Sequence, residues 1–155
     1  MDCSEQEEQL ACRRILAYDA AWNAHDLPAV LAMHTDDSVF QSHTTGEIAT
    51  GKPQIGTMIN RLWRLYPDLR FEIRRMYARQ GLVVQEWTAV ATHTRSIPGR
   101  GRAYRPTGEV LRWLGVDVIP LRDGLILRKD AYVDTAALQR QLEKGRSLTP
   151  ERTPT

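Results

Sequence analysis

The chain has 155 residues, with 21 Lys and Arg against 19 Asp and Glu, 42% hydrophobic and 26% charged. That length suits one core rather than two, no apolar run approaches the roughly 20 residues of a membrane span, and the near-balanced charge gives no footprint for nucleic acid. The acidic start, Met1-Asp2-Cys3-Ser4-Glu5, lacks the pattern of a secretory signal, and the two cysteines, Cys3 and Cys12, sit too close in one helical arm to staple a fold, so a cytoplasmic protein is expected.

Ser4 and Glu7 form a capping box, and Ala11, Ile15, Tyr18 and Trp22 then recur on one face of a helix that ends near Asn23. Asp26 caps a second, short helix with Pro28 in its first turn and Leu31 inward. Thr35-Asp36-Asp37-Ser38 closes it, and Val39 to Thr44 reads as a strand. Gly46 and Gly51 mark a turn region, and Pro53 opens a third helix that buries Ile55, Met58, Ile59 and Leu62 with Trp63 at its edge.

After Pro67 the period changes to two: Leu69, Phe71 and Ile73 alternate with Arg70, Glu72 and Arg74, as in a half-buried strand. Gln80-Gly81 turns into a long strand from Leu82 to about Thr94, and Ser96 to Gly108 reads as a polar loop. Val110 to Leu121 and Leu125 to Val133 are strands joined at Asp123-Gly124, a strong hairpin signal. A closing helix spans Thr135 to Glu143, so residues 1–144 form the domain and 145–155 a loose tail. Helices first and antiparallel strands later define an α+β class, with helices covering one face of a curved sheet around an apolar cone.

A two-residue turn at Asp123-Gly124 pairs Leu121 with Ile126, Ile119 with Arg128, Asp117 with Asp130 and Gly115 with Tyr132. Opposed side chains have Cβ atoms about 4.5–5.5 Å apart. Two carboxylates that close in a pocket have their proton affinities driven apart, leaving one as a base and the other as a donor. On an exposed face, Arg128 and Lys129 would instead neutralise both aspartates as an ordinary salt-bridge cluster. Tyr18 is either a core tyrosine or a phenol able to polarise a carbonyl, and His43 a base near neutral pH at a strand end. Trp22, Trp63, Trp87 and Trp113 are core residues or stacking walls for a planar ligand, with His93 on the face of Trp87 and Tyr132 beside the hairpin. His25, His34, His43 and His93 make no i, i+4 pair and no Cys-x-x-Cys occurs, so a metal site has little support.

Tyr18-Asp19-Ala20-Ala21-Trp22-Asn23-Ala24-His25-Asp26-Leu27, Met33-His34-Thr35-Asp36-Asp37 and Thr50-Gly51-Lys52 resemble the opening of the nuclear transport factor 2-like superfamily. Asp123-Gly124-Leu125-Ile126 and Arg128-Lys129-Asp130-Ala131-Tyr132-Val133-Asp134 resemble its SnoaL-like polyketide cyclase branch, with relations to the ketosteroid isomerases. The resemblance implies a single cystatin-like α+β barrel: a cone-shaped, mostly antiparallel sheet packed with three N-terminal helices, cofactor-free and dimeric through its sheet. It implies a cyclase or isomerase acting by proton abstraction or ring closure on a small hydrophobic metabolite with a carbonyl or an epoxide, a polyketide-like or steroid-like molecule. Asp130 would be the base, Asp117 its protonated partner, Tyr18 and His43 supporting donors, and Trp22, Trp63, Trp87, Trp113, His93 and Tyr132 the walls. The isomerases' first-strand base falls near Ser42 here, and the Arg-x-Asp of limonene epoxide hydrolases reads Glu86-Trp87-Thr88. The alternatives are an epoxide-opening hydrolase or cyclase, and a non-catalytic ligand-binding or dimerisation module.

Overall fold

The computed structural model describes residues 3–147, with side chains from Glu5 to Gly145; the Ser4 side chain of the expected capping box and the stretch 148–155 lie outside what is described, and Ser4 itself is already within the first helix, which begins at Cys3. Helix α1 (Cys3–Asn23) is followed by α2 (Leu27–Ala32), β1 (His34–Ser42), β2 (Glu47–Thr50) and α3 (Gly51–Leu65). Then come β3 (Arg70–Arg79), β4 (Leu82–Thr92), the short strands β5 (Ile97–Gly99) and β6 (Arg102–Tyr104), β7 (Val110–Arg122), β8 (Leu125–Val133) and α4 (Thr135–Ser147). Six strands form one mixed sheet in the order β2-β1-β8-β7-β4-β3, and only β1 and β8 run parallel. Among the described residues, no helix is long and apolar enough to cross a membrane.

The apolar stripe of α1 lies on the sheet, with Ile15 and Tyr18 fully buried and Trp22 nearly so. Asp26 caps α2 by accepting from the Ala29 amide at 3.1 Å, as its side chain and position dictate. Val30 is the fully buried residue of that helix, while Leu31 packs half-buried at the margin of the core. Ile15, Tyr18 and Trp22 join Val30, Phe40, Ile55, Ile59, Val83, Ile119 and Ile126 in the core at one end of the cone. At the other end Tyr66, Leu69, Trp87, Trp113, Ile97, Tyr104 and Leu142 make a second apolar cluster, roofed by the β5–β6 hairpin and α4.

Several expectations are corrected. β1 begins at His34, not Val39, because His34 and Ser38 turn inward and are fully buried while Asp36 and Asp37 point out to Lys52 and Arg122. The turn region between Gly46 and Gly51 contains strand β2, and the polar loop contains the β5–β6 hairpin. α4 continues to Ser147, past the expected start of the tail.

The most consequential correction concerns hairpin register. Asp123 and Gly124 both have positive φ, 52° and 76°, and Leu121 pairs with Ile126 as expected. Beyond that the ladder slips: Val118 pairs with Asp130, Asp117 with Ala131 and Gly115 with Val133. Three residues of β8, Leu127, Arg128 and Lys129, therefore face only two of β7, Ile119 and Pro120. Pro120 is the physical reason. Leu121 donates its N–H to Gly81 on the β4 side, so the missing N–H of Pro120 belongs to the β8 side, where the bulge lies. The slip turns Lys129 inward and sends Asp130 to the opposite face from Asp117.

Candidate functional site

A one-residue slip creates two separate polar clusters from what would have been one. On the face toward the helices, Asp117 is 2% exposed and Lys129 is 5% exposed. Their ion pair spans 3.3 Å, and the Lys129 Nζ lies 4.7–5.2 Å from the ring centroids of Trp22, Phe40 and Tyr18. Gln85, opposite Asp117 on β4, donates from Nε2 to Asp117 Oδ2 at 3.1 Å and to Asp19 Oδ1 at 3.0 Å. Asp19 comes from the core face of α1, one turn after Ile15. Three acceptor atoms, Asp19 Oδ2, Gln85 Oε1 and Asp117 Oδ1, are buried without a hydrogen-bond partner.

The electrostatics follow from burial. Removal from water raises the Asp19 carboxyl from 3.8 to about 7, with the Asp117 charge adding to the rise and Gln85 and Lys129 opposing it. Burial pulls Lys129 toward losing its proton, but the charge of Asp117, helped by Tyr18 and Asp19, leaves its affinity above that of an ordinary lysine. Burial raises the Tyr18 phenol, against the pull of Lys129, and lowers His34 to about 3, with the Lys129 and Lys52 charges adding to that drop. His34 is therefore a neutral imidazole, with Nε2 3.0 Å from the Tyr18 hydroxyl and Nδ1 2.8 Å from Ser38 Oγ. In the tautomer with its proton on Nε2, His34 donates to the phenol oxygen and leaves the phenolic hydrogen free; in the other, the phenol donates to Nε2 and Nδ1–H donates to Ser38 Oγ.

On the opposite face, Asp130 accepts from Arg128 Nε and Nη2, both at 2.7 Å, and lies 2.7 Å from His43 Nε2. Arg128 also bonds Gln41, and the Tyr132 ring stacks on His43 at 4.4 Å. Arg128 holds the Asp130 carboxyl below the usual carboxylate range against partial burial, with His43 assisting. Asp117 and Asp130 thus do not meet: Asp117 and Tyr18 belong to the inner cluster, whereas Asp130, His43 and Tyr132 form an outer one.

The remaining expected residues divide by position. Trp22 packs edge-on against Trp63 and against Phe71, each at 5.6 Å, and Phe71 packs edge-on against Trp87 at 5.0 Å. Trp22, Trp87 and Trp113 are buried, while Trp63 is half-buried and stacked on His25 at 4.6 Å. His93 is buried at the roofed end, 3.2 Å from Thr107 Oγ1. Sequence reasoning missed Asp19, Gln85 and the inward Lys129. Asp19 did carry a signal: it fills the i+4 position after Ile15 within an apolar helical stripe, where a charge is costly unless used. Among the described residues no group of three or more His, Cys, Asp or Glu side chains could hold a metal ion.

A curved mixed sheet wrapped on α1–α3 is the cone of the nuclear transport factor 2-like proteins. The match to the SnoaL-like domain family covers residues 15–129, and the chain belongs to that family. A candidate hydroxylase from Streptomyces galilaeus, AclR, is 23% identical, with 86% of this chain and 96% of that one covered and a TM-score of 0.74. A candidate polyketide cyclase from Acidithiobacillus ferrooxidans is 18% identical, with coverage of 88% and 96% and a TM-score of 0.76. An epoxide hydrolase of the limonene-epoxide-hydrolase-like type from M. tuberculosis is 21% identical, with coverage of 91% and 95% and a TM-score of 0.69. No curated protein matches the chain. These likenesses establish the fold; one fold carries hydroxylase, cyclase and hydrolase assignments, so activity must be argued from the inner cluster.

Proposed function

We propose that the protein is a cofactor-independent acid–base enzyme of the SnoaL-like kind, a cyclase or isomerase for a small hydrophobic carbonyl compound of polyketide-like or steroid-like character. The observation that carries this reading is the buried Asp19–Gln85–Asp117–Lys129 chain, in which Asp19 changes protonation at about pH 7. A group poised there serves as base in one step and acid in the next. Asp19 as carboxylate takes a proton from the carbon beside a carbonyl, and the electron pair of the C–H bond moves to the carbonyl oxygen as an enolate. Lys129 and Tyr18 supply positive charge and a hydrogen-bond donor for that oxygen. In ring closure the enolate carbon bonds to a second carbonyl carbon, and the Asp19 proton passes to its oxygen. In isomerisation the same proton returns to a different carbon. Asp117 keeps Lys129 charged and, through Gln85, fixes Asp19.

The test is deuterium wash-in from heavy water at the activated carbon of hydrophobic 1,3-diketones and of unsaturated steroid ketones, followed by NMR. Catalysed exchange in the wild type, reduced about 10²-fold or more in Asp19→Asn, is the expected result. No exchange above buffer for the whole panel, or an unchanged rate in Asp19→Asn, defeats the reading. Product analysis in heavy-oxygen water separates epoxide opening, which incorporates label, from cyclisation and isomerisation, which do not.

A non-catalytic module is favoured by one observation: two clefts of about 510 and 300 Å³ run along α1 outside the cone. The first is lined by Glu5, Glu8, Cys12, Arg13 and Ala78, the second by Glu7, Arg14, Leu121 and Asp123 among others. Absence of catalysed exchange together with ligand binding supports that alternative. The face away from the helices exposes Tyr77, Leu114 and Tyr132, and we place a homodimer contact there. Leu114→Arg should halve the sedimenting mass; an unchanged mass removes the dimer.

A further inference from the structure

Between Glu86 and Glu109 the chain runs for 22 residues with no Asp, Glu or Lys and with four arginines, Arg95, Arg100, Arg102 and Arg105. This stretch alone carries +4, twice the net charge of the whole chain, so the remainder is net acidic. All four arginines are exposed. Arg102 lies over the Tyr104 ring, 5.8 Å from its centroid, and reaches Glu143 at 3.7 Å. Arg95, Arg100 and Arg105 have no ion pair among the described residues. The fold leaves their charge uncompensated.

These arginines stand on a seated hairpin. β5 and β6 have three residues each, and a two-stranded hairpin of that size has little stability of its own. Its cross-strand partners Ile97 and Tyr104 are buried in the second apolar cluster, together with Leu142 of α4. The Tyr104 ring lies against Gly99, where a Cβ would come within 2.6 Å of ring atom Cε2, and its hydroxyl donates to Glu143 Oε1 at 3.5 Å. Gly101 turns the tip with a φ of 71°. The backbone beneath the arginines is thus held by packing, which lowers the ordering cost of binding. α4 adds the exposed Arg140 and Lys144, one on each side of Glu143 in sequence.

We propose that the β5–β6 hairpin is a docking surface for an acidic protein, one that presents a row of carboxylates along a helix face. Five residues separate Arg100 at the tip from Arg95 on one arm and from Arg105 on the other, up to about 17 Å of extended chain. That spread suits several anionic groups in a row rather than a single small anion. Carboxylates four residues apart on a helix repeat about every 6 Å, and the guanidinium fork grips each in bidentate fashion. Single-stranded nucleic acid would need exposed rings for its bases, and the hairpin's one aromatic ring is buried. A lipid surface would need apolar side chains to insert, and Ile97 and Tyr104 face inward. The proposal is independent of the chemistry inside the cone and gives the protein a macromolecular partner beside its small-molecule substrate.

The experiment titrates the full chain with a fluorescent helical peptide carrying glutamate at every fourth position on one face. The controls are the same peptide with lysine for glutamate, a single-stranded oligonucleotide of equal charge, and phosphatidylglycerol vesicles. The glutamate peptide should bind, weakening about tenfold as salt rises from about 50 to 250 mM, and the lysine peptide should not. Arg100→Ser at the exposed tip should weaken binding about threefold, the size of one exposed ion pair, and Arg95→Ser, Arg100→Ser and Arg105→Ser combined by more than about tenfold. Arg64→Ser, Arg74→Ser and Arg79→Ser combined remove the same charge from exposed positions elsewhere and should leave binding within about twofold. Replacing Arg95, Arg100 and Arg105 by Glu should transfer the preference to the lysine peptide. No binding of the glutamate peptide at low salt overturns the proposal. An equal loss in the control triple does so too, because net charge alone would then be acting. Tighter hairpin-dependent binding of the oligonucleotide or the vesicles overturns it in favour of a nucleic-acid or lipid surface. None of these measurements involves turnover, so they stand whatever the deuterium wash-in shows.

Discussion

Replacing Asp19 by Asn keeps the size of the side chain and its acceptor for Gln85 Nε2, and removes the ionisation. An aspartate raised from 3.8 to about 7 stays protonated in the folded chain over a range where the unfolded chain has lost its proton. Below pH 3.8 both states are protonated and Asp19 costs nothing. As pH rises toward 7 the unfolded state gains by ionising, so this contribution to stability is lost progressively; above 7 both states are ionised and the loss levels off. At about 1.4 kcal/mol per pH unit, the full loss is about 4 kcal/mol, an upper figure because Gln85 and Lys129 can relax around the charge. Urea unfolding between about pH 4.5 and 8 should show wild-type stability falling relative to Asp19→Asn by about 2–4 kcal/mol, most of it between about pH 5 and 7. Parallel pH profiles for the two proteins would mean that Asp19 titrates as an ordinary surface carboxylate. That result refutes the burial argument and removes the poised proton on which the acid–base proposal depends.

Lys129→Met strands the Asp117 carboxylate among aromatic rings and should cost about 3–5 kcal/mol in urea unfolding; Asp117→Leu combined with it should recover most of that loss. Gly115→Ala drives a Cβ into the Trp87 ring and should cost about 1–3 kcal/mol, with most of it regained when Trp87→Leu is added, as a double-mutant cycle would record. Arg128→Ala removes two hydrogen bonds from Asp130 and should raise that carboxyl toward its ordinary value, as carboxyl-carbon NMR would report. Because the Asp130 pair stabilises only above its depressed titration and lies near solvent, its loss should cost less than about 1 kcal/mol at about pH 7 and shrink with salt.

The large features were legible because they rest on local rules. The Ile15–Tyr18–Trp22 stripe, the Asp26 cap, the Gln80-Gly81 and Asp123-Gly124 turns and the alternation of β3 each follow from a few adjacent residues, and each stands where those residues put it. Face assignment across the last hairpin needed one more fact, the effect of Pro120 in a central strand. A proline there cannot complete the ladder toward β8, and the bulge that accommodates it exchanges the faces of the residues from Lys129 to Val133. Counting from the turn makes Asp130 the partner of Asp117; counting through the proline makes Lys129 the inward charge. That exchange alters the chemistry. Two facing carboxylates would have shared a proton between them, whereas a buried lysine keeps Asp117 paired and passes the proton-sharing role to Asp19 on α1, reached through Gln85. The candidate site therefore depends on contacts among α1, β4, β7 and β8, and sequence spacing reports only the last two.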